Sequence, residues 1–173
     1  MTEAGRPDPE GASDCAPTFE AFFRAEHPRL LRALYLLAGS LAEADELAQE
    51  AMARVFERWD RVRVMASPVG YVYRVALNLH RSRARRLGVL ARRVVGWERP
   101  RDPMELVETR AEILRLLSGL PPGQREALVL VGWLGMTSEE AGAVLGIEPV
   151  SVRVRVARAR ATLRARAGGT DDG

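Results

Sequence analysis

From Glu148 to Arg166 the chain reads EPVSVRVRVARARATLRAR, and no other stretch constrains the fold as tightly. Taken by twos, Val150 to Val156 alternates apolar and polar residues as a strand would. Taken by threes and fours, Val152, Val156, Ala159 and Leu163 line up on one stripe of a helix, at the spacing i, i+4, i+7, i+11. A strand here would have no partner, because the other long segments are periodic in the helical sense. The pattern therefore predicts a helix, with Pro149 in its first turn, where its missing N–H costs nothing. Arg153, Arg155, Arg158, Arg160 and Arg164 are left on the remaining faces.

The preceding segments read as further helices with legible stops. FEAFFRAEHPRLLRALYLLAG is apolar at helical spacing; Pro28 predicts a kink or restart, Gly39 a stop and Ser40 a cap for the next helix. In LAEADELAQEAMARVFERWDRV, Leu41, Leu47, Ala48, Ala51, Val55 and Trp59 make one apolar side. VRVMAS breaks the pattern and Ser67-Pro68 restarts it. PVGYVYRVALNLHRSRARRL then carries two stripes: Val72, Val75, Ala76 and Leu79 apolar, and Tyr71, Arg74, Asn78, Arg81 and Arg85 polar or aromatic. After a Gly- and Pro-bearing stretch, MELVETRAEILRLLSGL and PGQREALVLVGWLG are helical. Thr137 stands three before Glu140, the capping-box spacing, and opens a short helix that Gly146 ends. The expected fold is all-α: two small helical domains joined by a flexible linker, the second containing a helix-turn-helix.

Charge is segregated along this frame. Residues 1–60 carry a net charge of −6, 61–101 of +10, 102–147 of −4 and 148–173 of +3. Two basic segments suit a polyanion, and the acidic ones suit something else. Every cationic side chain is Arg, whose planar fork matches phosphate and guanine.

Several classes are excluded or disfavoured. The single Cys15 allows no internal disulfide, and His27 and His80 have no ligand-spaced companions, so no metal is expected. There is no Gly-rich phosphate loop and no nucleophile beside a base, so no catalytic residue and no cofactor is expected. Asp45, Glu46 and Glu50 lack the histidine partner of a di-metal site. The first residues do not form a signal peptide. The longest apolar run is interrupted by Arg32 and is too short for a bilayer. A cytoplasmic protein without membrane insertion is expected.

Three constellations remain. SEEAGAVLGIEPVSVRVRVARARATLR fits a helix-turn-helix, whose second helix meets base edges with its early residues, here Ser151, Arg153 and Val154. Arg155 and Arg158 suit phosphates or later base edges; the alternative is a helical hairpin with a solvated Arg face. YVYRVALNLHRSRARR offers Tyr71 and Tyr73 for stacking and Asn78 for a base edge, beside a positive track. Equally, its tyrosines belong to a core and its arginines to water. The acidic helix DELAQEAMARVFERW reads by itself as a polar face.

In this order, DELAQEAMARVFERW, PVGYVYRVALNLHRSRARR and LPPGQREALVLVGWLGMTSEEAGAVLGIEPVSVRVRVARARATLR together resemble the extracytoplasmic-function (ECF) group of bacterial RNA polymerase sigma factors. The resemblance implies a disordered tail over 1–16, a region 2-like domain over 17–89, a linker over 90–104, a region 4-like domain over 105–167 and a tail over 168–173. It implies that Asp45, Glu46, Gln49 and Glu50 dock on core RNA polymerase. Tyr71, Arg74, Asn78, Arg81 and Arg85 would melt and read the −10 element of promoter DNA, while Ser151, Arg153, Val154, Arg155 and Arg158 would read the −35 element. An anti-sigma factor is a common partner in the group. Tyr71 stands where the family often has Trp, and Leu77 where it often has Arg. The competing reading is a helix-turn-helix regulator that binds DNA without polymerase.

Overall fold

The computed structural model describes residues 18–93 and 108–168, and among them every regular element is helical. Helix α1 spans Phe19–Ala38, α2 Leu41–Phe56, the short α3 Trp59–Val62, and α4 Pro68–Arg93. Helix α5 spans Glu108–Ser118 and α6 Pro122–Leu128, which runs on into a π-helical turn, Val129–Trp133; α7 is Ser138–Leu145 and α8 Pro149–Gly168.

Local chemistry sets most of these limits. The Thr18 hydroxyl accepts the Ala21 N–H at 3.2 Å to open α1. Gly39 ends it at φ 76°, a left-handed conformation, donating its N–H to the Tyr35 carbonyl at 2.9 Å. Ser40 then accepts the Glu43 N–H at 3.3 Å and starts α2. Ser67 does the same for α4, accepting the Gly70 N–H at 3.0 Å.

Two boundaries differ from expectation. Pro28 lies inside a continuous α1. A proline within a helix costs about 3 kcal/mol, and here the buried stripe Leu30, Ala33, Leu34 and Leu37 offsets it by packing on α2. Helix α4 continues through Arg93, so residues 90–93 of the expected linker are helical. The Leu, Ala and Arg residues that come after Gly88 are strong helix formers. The rest of that linker and both expected tails fall almost wholly outside the described residues, except Gly168, which ends α8.

The N-terminal unit packs α1 on α2 and α2 on α4. Its centre holds Leu30, Leu34, Leu47, Met52, Val55, Val62 and Val72, none more than 2% exposed. Burying each such side chain contributes about 1.5–3 kcal/mol. In the C-terminal unit α6 and α7 both pack on α8 through Ala127, Leu130, Val144 and Val152. Leu117, Leu120 and Ala159 form a smaller cluster with Leu163 against it. The α8 stripe thus sits as its spacing predicts: Val152, Val156 and Ala159 are buried and Leu163 packs at the edge.

One apolar core runs through both units, because α4 packs on α7, and α1 packs on the π turn and on α5. This covering explains why α4 buries more than one stripe. Besides Val72 and Ala76, it buries Tyr73 and Leu77. Tyr73, 3% exposed, is a core residue and does not serve as a stacking platform.

Candidate nucleic-acid interface

The sharpest local geometry is at the two ends of α7. Thr137 and Glu140 form a complete capping box: the Thr137 hydroxyl accepts the Glu140 N–H at 3.1 Å, and the Glu140 carboxylate accepts the Thr137 N–H at 2.8 Å. At the other end Gly146 closes α7 at φ 70°. Gly142 is required by space, since a Cβ there would stand 2.7 Å from the Ile147 carbonyl oxygen. The chain therefore doubles back tightly on α7, and α8 begins at Pro149 with Ser151 and Val152 N–H groups donating to the Glu148 carbonyl.

This turn fixes which side chains of α8 face solvent. Arg153, Val154 and Arg158 are exposed, and Ser151 is half-buried. Val154 is a large aliphatic residue left 43% exposed on the first turns of the helix. Glu139 of α7 reaches Arg153, with Oε1 3.4 Å from Nη1. Both side chains are more than half exposed, so the pair is worth little and leaves Arg153 available. Arg155 differs from expectation: it is half-buried, with its guanidinium against Gly123 of α6. Arg166 likewise turns back, donating to the Gly119 carbonyl at 3.0 Å.

The polar stripe of α4 is divided. Asn78 and Arg85 are exposed and Tyr71 is half-buried. Arg74 and Arg81 turn into the C-terminal unit. Arg74 donates to the carbonyl of Ala143, in the last turn of α7, where helix carbonyls lack intrahelical donors. Arg81 forms a two-point bond with Glu126 of α6: Nε to Oε1 at 2.8 Å and Nη2 to Oε2 at 2.7 Å. The Glu126 side chain is 6% exposed and that of Arg81 33%. The Glu126 hydrogen bond holds the Arg81 guanidinium above its ordinary pKa despite the opposing effect of burial. Arg29 of α1 and Arg125 of α6 add crossings, to the Leu134 carbonyl at 3.5 Å and the Leu37 carbonyl at 2.9 Å.

The acidic face of α2 is solvated but locally ordered. Glu46 and Glu50 are exposed and Asp45 is half-buried. Gln49 donates to Asp45 at 2.7 Å, Arg54 to Glu50 at 2.7 Å, and Arg83 of α4 to Glu46 at 2.7 Å. Beside it Phe19, Phe56 and Trp59 form an aromatic cluster, with Phe56 60% exposed.

Glu126, Arg125 and Arg29 fall outside the candidates read from the sequence. Glu126 does carry a signal: it lies four before Leu130 and next to Ala127, so it falls on the buried face of its helix. A carboxylate there must find a cation. Nothing local identifies that cation as Arg81, 45 positions away.

No group of three or more His, Cys, Asp and Glu side chains that could hold a metal ion occurs among the described residues. No helix among them is long and apolar enough to cross a membrane.

Residues 22–89 match the family description "Sigma-70 region 2", and residues 110–163 match "Sigma-70, region 4". The chain is 32% identical over 148 residues to the RNA polymerase sigma-E factor of Streptomyces coelicolor, covering 84% of each chain. It is 30% identical over 146 residues to the ECF RNA polymerase sigma factor SigM of Mycobacterium tuberculosis, covering 84% of this chain and 74% of SigM. In fold it is similar to the sigma factor RpoE of Bartonella quintana, solved in complex with the anti-sigma factor NepR. There the TM-score is 0.76 at 21% identity, over 90% of this chain and 98% of that one. It is also similar to CnrH, solved with the cytosolic domain of CnrY, with a TM-score of 0.65 at 24% identity, over 90% of this chain and 89% of CnrH.

Proposed function

The chain belongs to the ECF sigma factors of the sigma-70 family, and from that premise we infer that it directs promoter-specific transcription initiation by binding core RNA polymerase and gripping promoter DNA at two places. The observation that carries the finer reading is the α7–α8 turn. The Gly142 contact and left-handed Gly146 turn the chain back on the capped helix α7 and leave Arg153, Val154 and Arg158 of α8 exposed. That is the arrangement a recognition helix needs to enter a major groove.

On this reading α8 takes the −35 element. Arg153 hydrogen-bonds a base edge, Val154 packs on a thymine methyl, Ser151 sits at the groove entrance and Arg158 neutralises phosphate. Arg155, half-buried over Gly123, is given a supporting role in positioning α8. Helix α4 takes the −10 element: Tyr71, Arg74, Asn78, Arg81 and Arg85 hold the melted strand, and base unstacking costs about a few kcal/mol. Asp45, Glu46, Gln49 and Glu50 of α2 form the polymerase-docking face, extended by exposed Phe56. Proposed boundaries are residues 17–89 for the first unit, from which α4 runs on to Arg93, and 105–167 for the second.

Its role is recognition, with no catalytic step of its own. An anti-sigma protein is a further proposed partner, because RpoE was solved in complex with the anti-sigma factor NepR. The test is transcription in vitro. Added to core polymerase and genomic templates, the chain should give discrete promoter-specific start sites. Tight binding to duplex DNA by the chain alone, with no engagement of core polymerase, would favour a free-standing regulator instead.

A further inference from the structure

A cleft of about 630 Å³ opens between α1, α5, the π turn and α8, and none of its lining residues is assigned to promoter DNA or to polymerase. Small-molecule sites span roughly 300–1,000 Å³. The buried Leu117 and the half-buried Leu36 and Leu128 make its apolar base. Ile113 and Trp133 also line it and are left 45% and 58% exposed, apolar surface that a bound group would cover. The π turn, a rare element frequently found at functional sites, forms one wall. Gly132 in that wall contributes no side chain, and a Cβ added there would meet nothing nearer than Leu128 Cδ1 at 3.4 Å.

The charged residues among those lining it are Arg32 and Arg160, and no carboxylate accompanies them. Both are exposed, and neither makes an ion pair or a hydrogen bond among the described residues. An apolar base beside two unpaired guanidinium groups asks for a ligand with an apolar body and one anionic end. A second copy docked here by two-fold symmetry would bring both copies of Arg32 and Arg160 together, with no carboxylate in the cleft to pair them. We propose that the cleft binds a small amphipathic carboxylate, its aliphatic body against Leu36, Leu117, Leu128 and Trp133 and its carboxylate paired with Arg32 and Arg160. This goes beyond promoter recognition and does not depend on which residues of α4 and α8 meet DNA. Apolar burial supplies most of the affinity, and the arginines select for the charge.

The test titrates sodium decanoate, below its micellar concentration, into the full chain by calorimetry at two temperatures. 1-Decanol is the uncharged probe of equal length, and circular dichroism reports helix content. Decanoate should saturate at one molecule per chain with a negative heat-capacity change, the mark of apolar burial. It should bind about tenfold more tightly than decanol, since hydrogen bonds to a charged group are added. Arg32→Gln and Arg160→Gln should each weaken decanoate by about threefold to tenfold and leave decanol unchanged. Gly132→Leu, which fills the cleft, should abolish binding of both probes with helix content retained. Trp133→Ser should weaken both, and it decides in the same way if Gly132→Leu loses helix content.

No saturable decanoate binding overturns the proposal. So does equal affinity for decanol, or a folded Gly132→Leu chain that binds decanoate as the parent does. Light scattering on the same proteins tests for a second copy: a parent dimer that Gly132→Leu returns to the monomer overturns the proposal. An acidic amphipathic peptide helix that binds in the cleft where decanoate does not would assign the face to a protein partner and overturn it as well.

Discussion

Thr137 and Glu140 cap each other's backbone across the first turn of α7, with hydrogen bonds of 3.1 and 2.8 Å in opposite directions. The cap fixes the start of α7, and the turn to α8 follows from its other end at Gly146. Thr137→Ala should cost about 1 kcal/mol of stability. In a chain of this size that lowers the melting temperature by roughly 2–4 °C. Glu140→Ala should give a similar loss, and the double variant less than the sum, because both changes dismantle one motif. Calorimetry on the four proteins measures it.

Arg153 and Arg158 are both exposed on α8 but are assigned different work. Arg153→Ala should weaken the cognate −35 site by about 1–3 kcal/mol and relax preference at one base position. Arg158→Ala should weaken all sequences alike and lower the slope of log affinity against log salt by about 1. Titrations of holoenzyme on a panel of single-base variants at several salt concentrations separate the two. Equal loss on every sequence for Arg153→Ala would reassign it to phosphate.

Asn78 is exposed on α4, one turn from Arg74 and Arg81, and has no part in the contact with the C-terminal unit among the described hydrogen bonds. Asn78→Ala should slow open-complex formation more than it weakens binding to closed duplex. Permanganate footprinting of melted thymines, against filter binding of the duplex, reads both quantities.

Tyr73 is only 3% exposed, with a hydroxyl that meets no hydrogen-bond partner among the described residues. Burial pushes its phenol above the ordinary 10.0, and the Glu26 charge adds to the rise. Linkage sets the sign of the effect. In the unfolded chain Tyr73 ionises near its ordinary value while the folded chain keeps it neutral, so its contribution is whole below about pH 10 and is lost as pH rises beyond it. Tyr73→Phe should therefore be neutral to stabilising by about 1 kcal/mol at pH 7. It should also flatten the fall in stability above pH 10, measured by urea unfolding at both ends of that range.

Most of the fold was legible because its signals are local. Gly39 and Gly146 sit at left-handed stops, Ser40 and Thr137 at caps, and the stripe Val152, Val156, Ala159 and Leu163 faces the core as its spacing requires. Pro28 misled because the packing of α1 on α2 overrides a local penalty. The assigned α4 face was legible as a stripe, but the fate of Arg81 was not, since its partner Glu126 is distant in sequence. Arg155 faced the same limit. Helical spacing marks which face it is on, yet Gly123 on another helix leaves the space into which it folds.

The central claim is that two basic helices on one chain serve a polymerase. It is tested most directly by run-off transcription with core RNA polymerase, comparing the parent chain with the variant Glu46→Arg, Glu50→Arg on the α2 face. The parent should produce discrete promoter-specific transcripts, and the variant should lose both core binding and transcription while keeping its helix content. Transcripts absent with the parent, or undiminished with the charge-reversed α2, would contradict the account.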